Sequence, residues 1–221
     1  MVLWSVAPFG PDSMIGIFGG TFDPVHFGHL RPALEVQQAL HLQEVRFIPA
    51  GQPPHRDQPF ASSTQRLAML KAAIVDQPGF VVDKRELRRP GPSYMVDTLV
   101  SLRSEMETEP LCLILGYDAF LGLTSWHQWQ RLIELAHLVI THRPGWNHDD
   151  LPDELQSLLQ QHAMATMKLA EVPAGGISFV EVTQLDISAT RIREQIRVGQ
   201  DVRYLLPESV YEMIREQNLY R

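Results

Sequence analysis

The feature that constrains this chain most is an alternation. Short apolar, β-branched runs take turns with longer stretches whose apolar residues recur at helical spacing. The predicted strands are Ile15 to Phe18, Glu44 to Ile48, Phe80 to Val82, Leu111 to Leu115, Leu138 to Thr141 and Ile177 to Val182. Between them, Leu30, Ala33, Val36 and Leu40 repeat with a near-helical period, as do Leu67, Leu70, Ala73 and Ile74. Ser62 followed by Gln65 reads as a capping box opening the second of these helices. Strands joined by helices pair in parallel, so the pattern predicts the α/β class: a doubly wound, mostly parallel sheet with helices on both faces.

With 221 residues, 44% of them hydrophobic, the chain can bury one large core. Residues 14–221 are therefore expected to form a single domain, with a small helical portion from about 186. Residues 1–13, with Pro8, Gly10 and Pro11, read as an extension, or Met14 is the true start. Trp146 to Gly176 is expected to give a peripheral helix and loops. A net charge of −7 carries no overall footprint for nucleic acid or an anionic membrane. The single cysteine, Cys112, lies in an apolar run and reads as a buried thiol in a reducing compartment. No apolar stretch approaches the ~20 residues of a membrane span, and the expected location is cytoplasmic.

In doubly wound sheets ligands bind beyond the carboxyl ends of the strands. Gly19 and Gly20 follow the first predicted strand, where glycines let backbone N–H groups approach a ligand closely. A helix N-terminus there would favour an anion, and phosphate is the natural guest. An ordinary tight turn would use the same glycines. The P-loop ending is missing, and Gly16, Gly19 and Gly20 do not match the dinucleotide fingerprint that an oxidoreductase would need. His26 and His29, three residues apart at a helix start, lie on one face and could both reach a phosphate. A zinc pair is the rival, but no third ligand is adjacent. Late in the chain, Ile187-Ser188-Ala189-Thr190-Arg191-Ile192-Arg193 offers hydroxyls at a helix N-cap and a planar guanidinium for phosphate oxygens.

The run Gly19-Gly20-Thr21-Phe22-Asp23-Pro24-Val25-His26-Phe27-Gly28-His29 resembles the signature of the adenylyltransferase superfamily related to class I aminoacyl-tRNA synthetases, and the late segment resembles its Ile-Ser-x-Thr-x-x-Arg element. Pro53-Pro54-His55-Arg56, Pro92 to Leu99, Gly116-Tyr117-Asp118, Trp126-His127, Arg143-Pro144-Gly145 and Tyr204 to Pro207 resemble bacterial nicotinate-nucleotide adenylyltransferase.

The resemblance implies a Rossmann-like nucleotidyltransferase fold and an enzyme that joins ATP to nicotinate mononucleotide, giving nicotinate adenine dinucleotide and pyrophosphate in NAD biosynthesis. It implies His26, His29 and Arg193 as catalytic residues. ATP would be bound by these together with Gly19, Gly20, Thr21, Phe22, Ile187, Ser188 and Thr190. Ser93, Tyr94, Met95, Val96, Trp126 and His127 would form the nicotinate pocket, with Trp126 stacked on the ring. Asp118 would meet the ribose, and His55, Arg56 and Arg143 would surround the mononucleotide or phosphates. Met95 stands where the family pattern usually has Thr. Mg²⁺ is expected as a bridge between phosphates, without a dedicated set of protein ligands. Phosphopantetheine and glycerol-phosphate nucleotidyltransferases share the first motif but not the Trp126 and Pro92 to Leu99 segments; a regulator keeping the fold would lack a phosphate-handling residue. Neither nucleic acid nor membrane is expected as a partner, and a homo-oligomer is left open.

Overall fold

The computed structural model describes residues 14–54, 58–143, 151–183 and 185–221. Residues 1–13, His55, Arg56, Pro144 and Gly145 lie outside the described residues. The strands β1 (Ile15–Gly20), β2 (Glu44–Pro49), β3 (Phe80–Val82), β4 (Leu111–Gly116), β5 (His137–His142) and β6 (Ile177–Glu181) form one sheet. Its order is β3-β2-β1-β4-β5-β6, and every pairing of neighbours is parallel. The helices are α1 (Phe27–Ala39), α2 (Ser63–Ile74), α3 (Arg85–Arg88), α4 (Met95–Glu105), α5 (Tyr117–Leu121), α6 (Leu132–Leu135), α7 (Asp153–His162), α8 (Ala189–Arg197) and α9 (Glu208–Glu216).

Strand side chains alternate between the two faces, and each face has its own core. Ile17, Leu113 and Ile140 join one apolar cluster with Val96, Leu99 and Leu102 of α4 and Leu155 of α7. Val45, Ile114 and Val139 join the other, with Val36 of α1, Leu70 of α2, Ile192 of α8 and Val210 of α9. The C-terminal helices therefore complete one face of the sheet. Cys112 is buried in that same cluster, and burial pushes its thiol pKa up to about 12, as expected of an inert structural thiol.

Several boundaries move. β1 runs two residues past Phe18, because Gly19 pairs with Ile48 and Gly20 with Pro49. The glycines are thus the last rungs of a strand and not a turn after it; the ladder to β2 overrides their low strand propensity. β6 stops one residue short of Val182. The capping box holds: Gln65 N–H donates to Ser62 Oγ at 3.3 Å, and Ser62 N–H donates to Gln65 Oε1 at 2.9 Å. In the region read as peripheral, α7 and a six-residue 3₁₀ segment at Thr166–Glu171 precede β6. No helix among the described residues is long and apolar enough to cross a membrane.

Chain direction across the sheet reverses between β1 and β4, which lie side by side. This is the topological switch point, where a crevice opens beyond the carboxyl ends of the strands. Gly20, Gly116 and the helices that follow them face that crevice from its two sides.

Candidate active site

The chain leaves β1 at Gly20 and enters α1 with His26 as its N-cap. Phe22 has φ 51°, and its ring turns back into the core, 5.2 Å from His29 and 5.9 Å from Phe47 between centroids. Phe22 can therefore offer a ligand only its backbone. A Cβ on Gly20 would come within 3.0 Å of the Phe22 ring, so glycine is needed for the fold-back. The His26 and His29 rings stack at 3.8 Å with 27° between planes, and His26 N–H donates to His29 Nδ1 at 3.3 Å. A neutral His29 accepting there carries its proton on Nε2. His26 is only 4% exposed, and burial lowers its pKa to about 4, so it is neutral near pH 7. Its Nδ1 is buried without a hydrogen-bond partner.

The late element arrives at the same place. A Cβ on Gly28 would meet the Ile187 carbonyl oxygen at 2.8 Å and His26 Nδ1 at 2.9 Å, so that glycine is what lets the two segments touch. Ser188 caps α8, its Oγ accepting from Arg191 N–H at 3.3 Å. Neither α1 nor α8 has an acidic residue in its first turn. Two helix N-termini with no carboxylate of their own in that turn are brought to one side of the crevice, and both favour an anion there. Arg193 Nη1 donates to the Asp23 carbonyl at 2.6 Å and Nη2 to Thr190 Oγ1 at 3.2 Å, so Thr190 orients the arginine.

Sequence reasoning gave Asp23 no role and passed over Arg66 and Tyr220. The Asp23 carboxylate is 4% exposed and accepts from Phe60 N–H at 2.8 Å, Ala61 N–H at 3.1 Å and the Tyr220 hydroxyl at 2.8 Å. Arg66, 1% exposed, donates to the Thr21 carbonyl at 2.7 Å, and its charge lies close enough to couple to Asp23. Asp23 lies in the quoted motif, where its charge was the available signal. Arg66 sits inside a helical repeat and Tyr220 next to the chain end, where no local pattern marks them.

On the other side, α4 begins beside β1. A Cβ on Gly19 would stand 2.5 Å from the Met95 terminal methyl, so the segment expected to hold the pyridine adjoins the loop after β1 directly. The Val96 side chain is buried in the core, leaving its N–H, in the first turn of α4, as what it can present. Ser93 Oγ accepts from Gly51 N–H at 2.9 Å and Gln52 N–H at 3.1 Å, tying down the loop that follows β2. Arg89 Nη2 donates to the Tyr94 carbonyl and to Thr98 Oγ1, and Thr98 donates to buried Glu86, so a polar network fixes the start of α4. Burial raises the Glu86 pKa. The Tyr94 and His127 rings meet at 4.3 Å, tilted by 33°, which joins α4 to the Trp126 segment. Trp126 is half-buried against the α4 core. Asp118 is exposed in the first turn of α5 after β4, and exposed Arg143 follows β5.

The loop after β1 and the start of α8 meet at Gly28, and residues 17–195, which include both, match the family model described as Cytidylyltransferase-like. The protein is thus a nucleotidyltransferase of the α/β class. A relative from Methylococcus capsulatus named "Probable nicotinate-nucleotide adenylyltransferase" is 52% identical over 208 residues, which cover 94% of this chain and 99% of the relative. Another of that name from Aeromonas hydrophila is 51% identical, with 94% and 97% covered. The chain belongs to the nicotinate-nucleotide adenylyltransferase family. The fold matches that of Plasmodium falciparum nicotinic acid mononucleotide adenylyltransferase complexed with NaAD, with TM-score 0.71, 16% identity and coverage of 94% of this chain and 97% of the other.

Proposed function

We propose that this enzyme transfers AMP from ATP to nicotinate mononucleotide, giving nicotinate adenine dinucleotide and pyrophosphate. The observation that carries the reading is the approach of the Met95 terminal methyl to Gly19, which sets the start of α4 directly against the loop after β1. The mononucleotide phosphate is already nucleophilic at neutral pH. An oxygen of it attacks the α-phosphorus of ATP, the bond to the β,γ-pyrophosphate breaks, and the electron pair leaves with pyrophosphate.

The protein needs only to align two anions and stabilise charge on the leaving group. The Gly19 to Phe22 backbone and the α1 and α8 N-termini receive phosphates. His26 and His29 donate N–H groups, and Arg193 offers its guanidinium. A neutral His26 donor fits this task, since it requires a hydrogen bond and not proton abstraction. Ile187 and Ser188 shape the α8 end, while Asp118 takes ribose hydroxyls.

Trp126 stacks on the pyridine ring, and N–H groups near Val96 and His127 receive its carboxylate. Tyr94 and His127 line that pocket, and Arg143, after β5, meets the mononucleotide or the phosphates; His55 and Arg56, expected to share this task, lie outside the described residues. The donors around the phosphates suit an anion, and the Asp23 carboxylate is already engaged by three hydrogen bonds. Mg²⁺ would accordingly be held by the substrate phosphates, where it neutralises charge on the departing pyrophosphate.

Incubating the enzyme with ATP, Mg²⁺ and either nicotinate or nicotinamide mononucleotide tests the reading. Pyrophosphate and dinucleotide should form in equal amounts, faster with nicotinate. Equal or faster turnover of nicotinamide mononucleotide would refute a carboxylate-binding pocket.

A further inference from the structure

A guanidinium on a long side chain stabilises charge well only if its plane is held before the reaction begins. Arg193 has contacts on its edge and on its face. Its edge donates to the Asp23 carbonyl and to Thr190 Oγ1, and its Cζ lies 4.8 Å from the centroid of the Phe60 ring. Phe60 is 74% exposed, so its ring does not serve the core. The placement of this ring is explained by the cation it carries.

Asp23, whose carbonyl receives the guanidinium, is pinned by its own side chain. Phe60 and Ala61 N–H groups reach its carboxylate from the strap before α2, and the Tyr220 hydroxyl reaches it from 197 positions further along the chain. Burial and the Asp23 charge raise the Tyr220 pKa, so the phenol stays a proton donor. The same Phe60 thus supplies a backbone donor to Asp23 and a ring to Arg193. We propose that Phe60 and Tyr220 are positioning residues for the reaction, the ring directly and the hydroxyl through Asp23, together holding Arg193 in the orientation that receives the leaving pyrophosphate.

This rests on Arg193 being the pyrophosphate contact, so the test separates the two ideas. The kcat/KM for ATP is measured for Arg193→Ala, Phe60→Leu, Tyr220→Phe and each of the latter two combined with Arg193→Ala. Arg193→Ala should lose about 100-fold. Phe60→Leu and Tyr220→Phe should each lose about tenfold in the native background and almost nothing further once Arg193 is alanine. The KM for nicotinate mononucleotide should not move in any of them. A merely structural role would instead multiply the losses and disturb both substrates.

Multiplicative losses, or full activity in both single variants, would overturn the proposal while leaving Arg193 its role. Full activity of Arg193→Ala would overturn that role and the proposal with it. Should Tyr220→Phe fold poorly, Phe60→Leu decides, because its position is exposed and its thermal midpoint should match that of the native enzyme.

Discussion

The imidazoles of His26 and His29 stack 3.8 Å apart while the backbone N–H of His26 donates to the ring of His29, so one helix start presents both rings as a unit. His26→Asn keeps a residue suited to the N-cap but removes the ring. It should lower kcat about 100- to 1,000-fold, the usual cost of losing one preorganised donor to developing charge. Far-ultraviolet circular dichroism should stay native. Native turnover in a folded variant would remove His26 from the mechanism.

The burial of His26 should also be visible in stability. Its pKa falls from 6.5 to about 4 on folding, so between those pH values the unfolded chain takes up a proton that the folded chain refuses. This group therefore costs nothing above pH 6.5, destabilises progressively as pH falls, and by pH 4 has removed about 3 kcal/mol. Denaturant midpoints should drop more steeply over that window for the native protein than for His26→Asn. Parallel curves would mean that His26 is not buried as a neutral ring.

Gly28 lets the start of α1 approach the segment leading into α8 closely. Because an added Cβ would strike the Ile187 carbonyl at 2.8 Å, Gly28→Ala must push α8 away from α1. Overpacking of this kind costs about 1–3 kcal/mol in stability. Here it should also raise the KM for ATP, since the two N-termini no longer converge. A stability loss with unchanged ATP kinetics would show that α8 does not belong to the phosphate site.

Met95 and Gly19 should behave as a coupled pair. Gly19→Ala collides with the end of a flexible methionine, so Met95→Ala should relieve much of the defect. Contacting residues commonly show interaction energies of about 0.5–3 kcal/mol, and a double-mutant cycle on kcat/KM for nicotinate mononucleotide measures this one. Strict additivity would break the link between loop and pocket.

What was legible in the sequence followed from local rules. Short apolar runs such as Ile15 to Phe18 and Leu111 to Leu115 marked the strands, and Ser62 with Gln65 marked a helix start. His26, His29 and Arg193 were singled out because a motif held each in a fixed setting. Gly19 and Gly20 misled about where β1 ends, since strand propensity says nothing of a ladder partner such as Ile48.

The Asp23 cluster stayed hidden for a different reason. Its hydrogen bonds to Phe60 and Tyr220 join residues 37 and 197 positions apart, and no period or cap encodes such a meeting. Ser93 was expected beside the substrate, yet its oxygen is occupied by two backbone N–H groups of the loop after β2, a use that spacing could not reveal.

The most direct test of the central claim follows the oxygen atoms. Nicotinate mononucleotide carrying isotopically labelled phosphate oxygens is turned over with unlabelled ATP, and the products are read by mass spectrometry. Attack on the α-phosphorus predicts that every label appears in the dinucleotide and none in pyrophosphate. Label in pyrophosphate, or ATP consumption without dinucleotide, would contradict it.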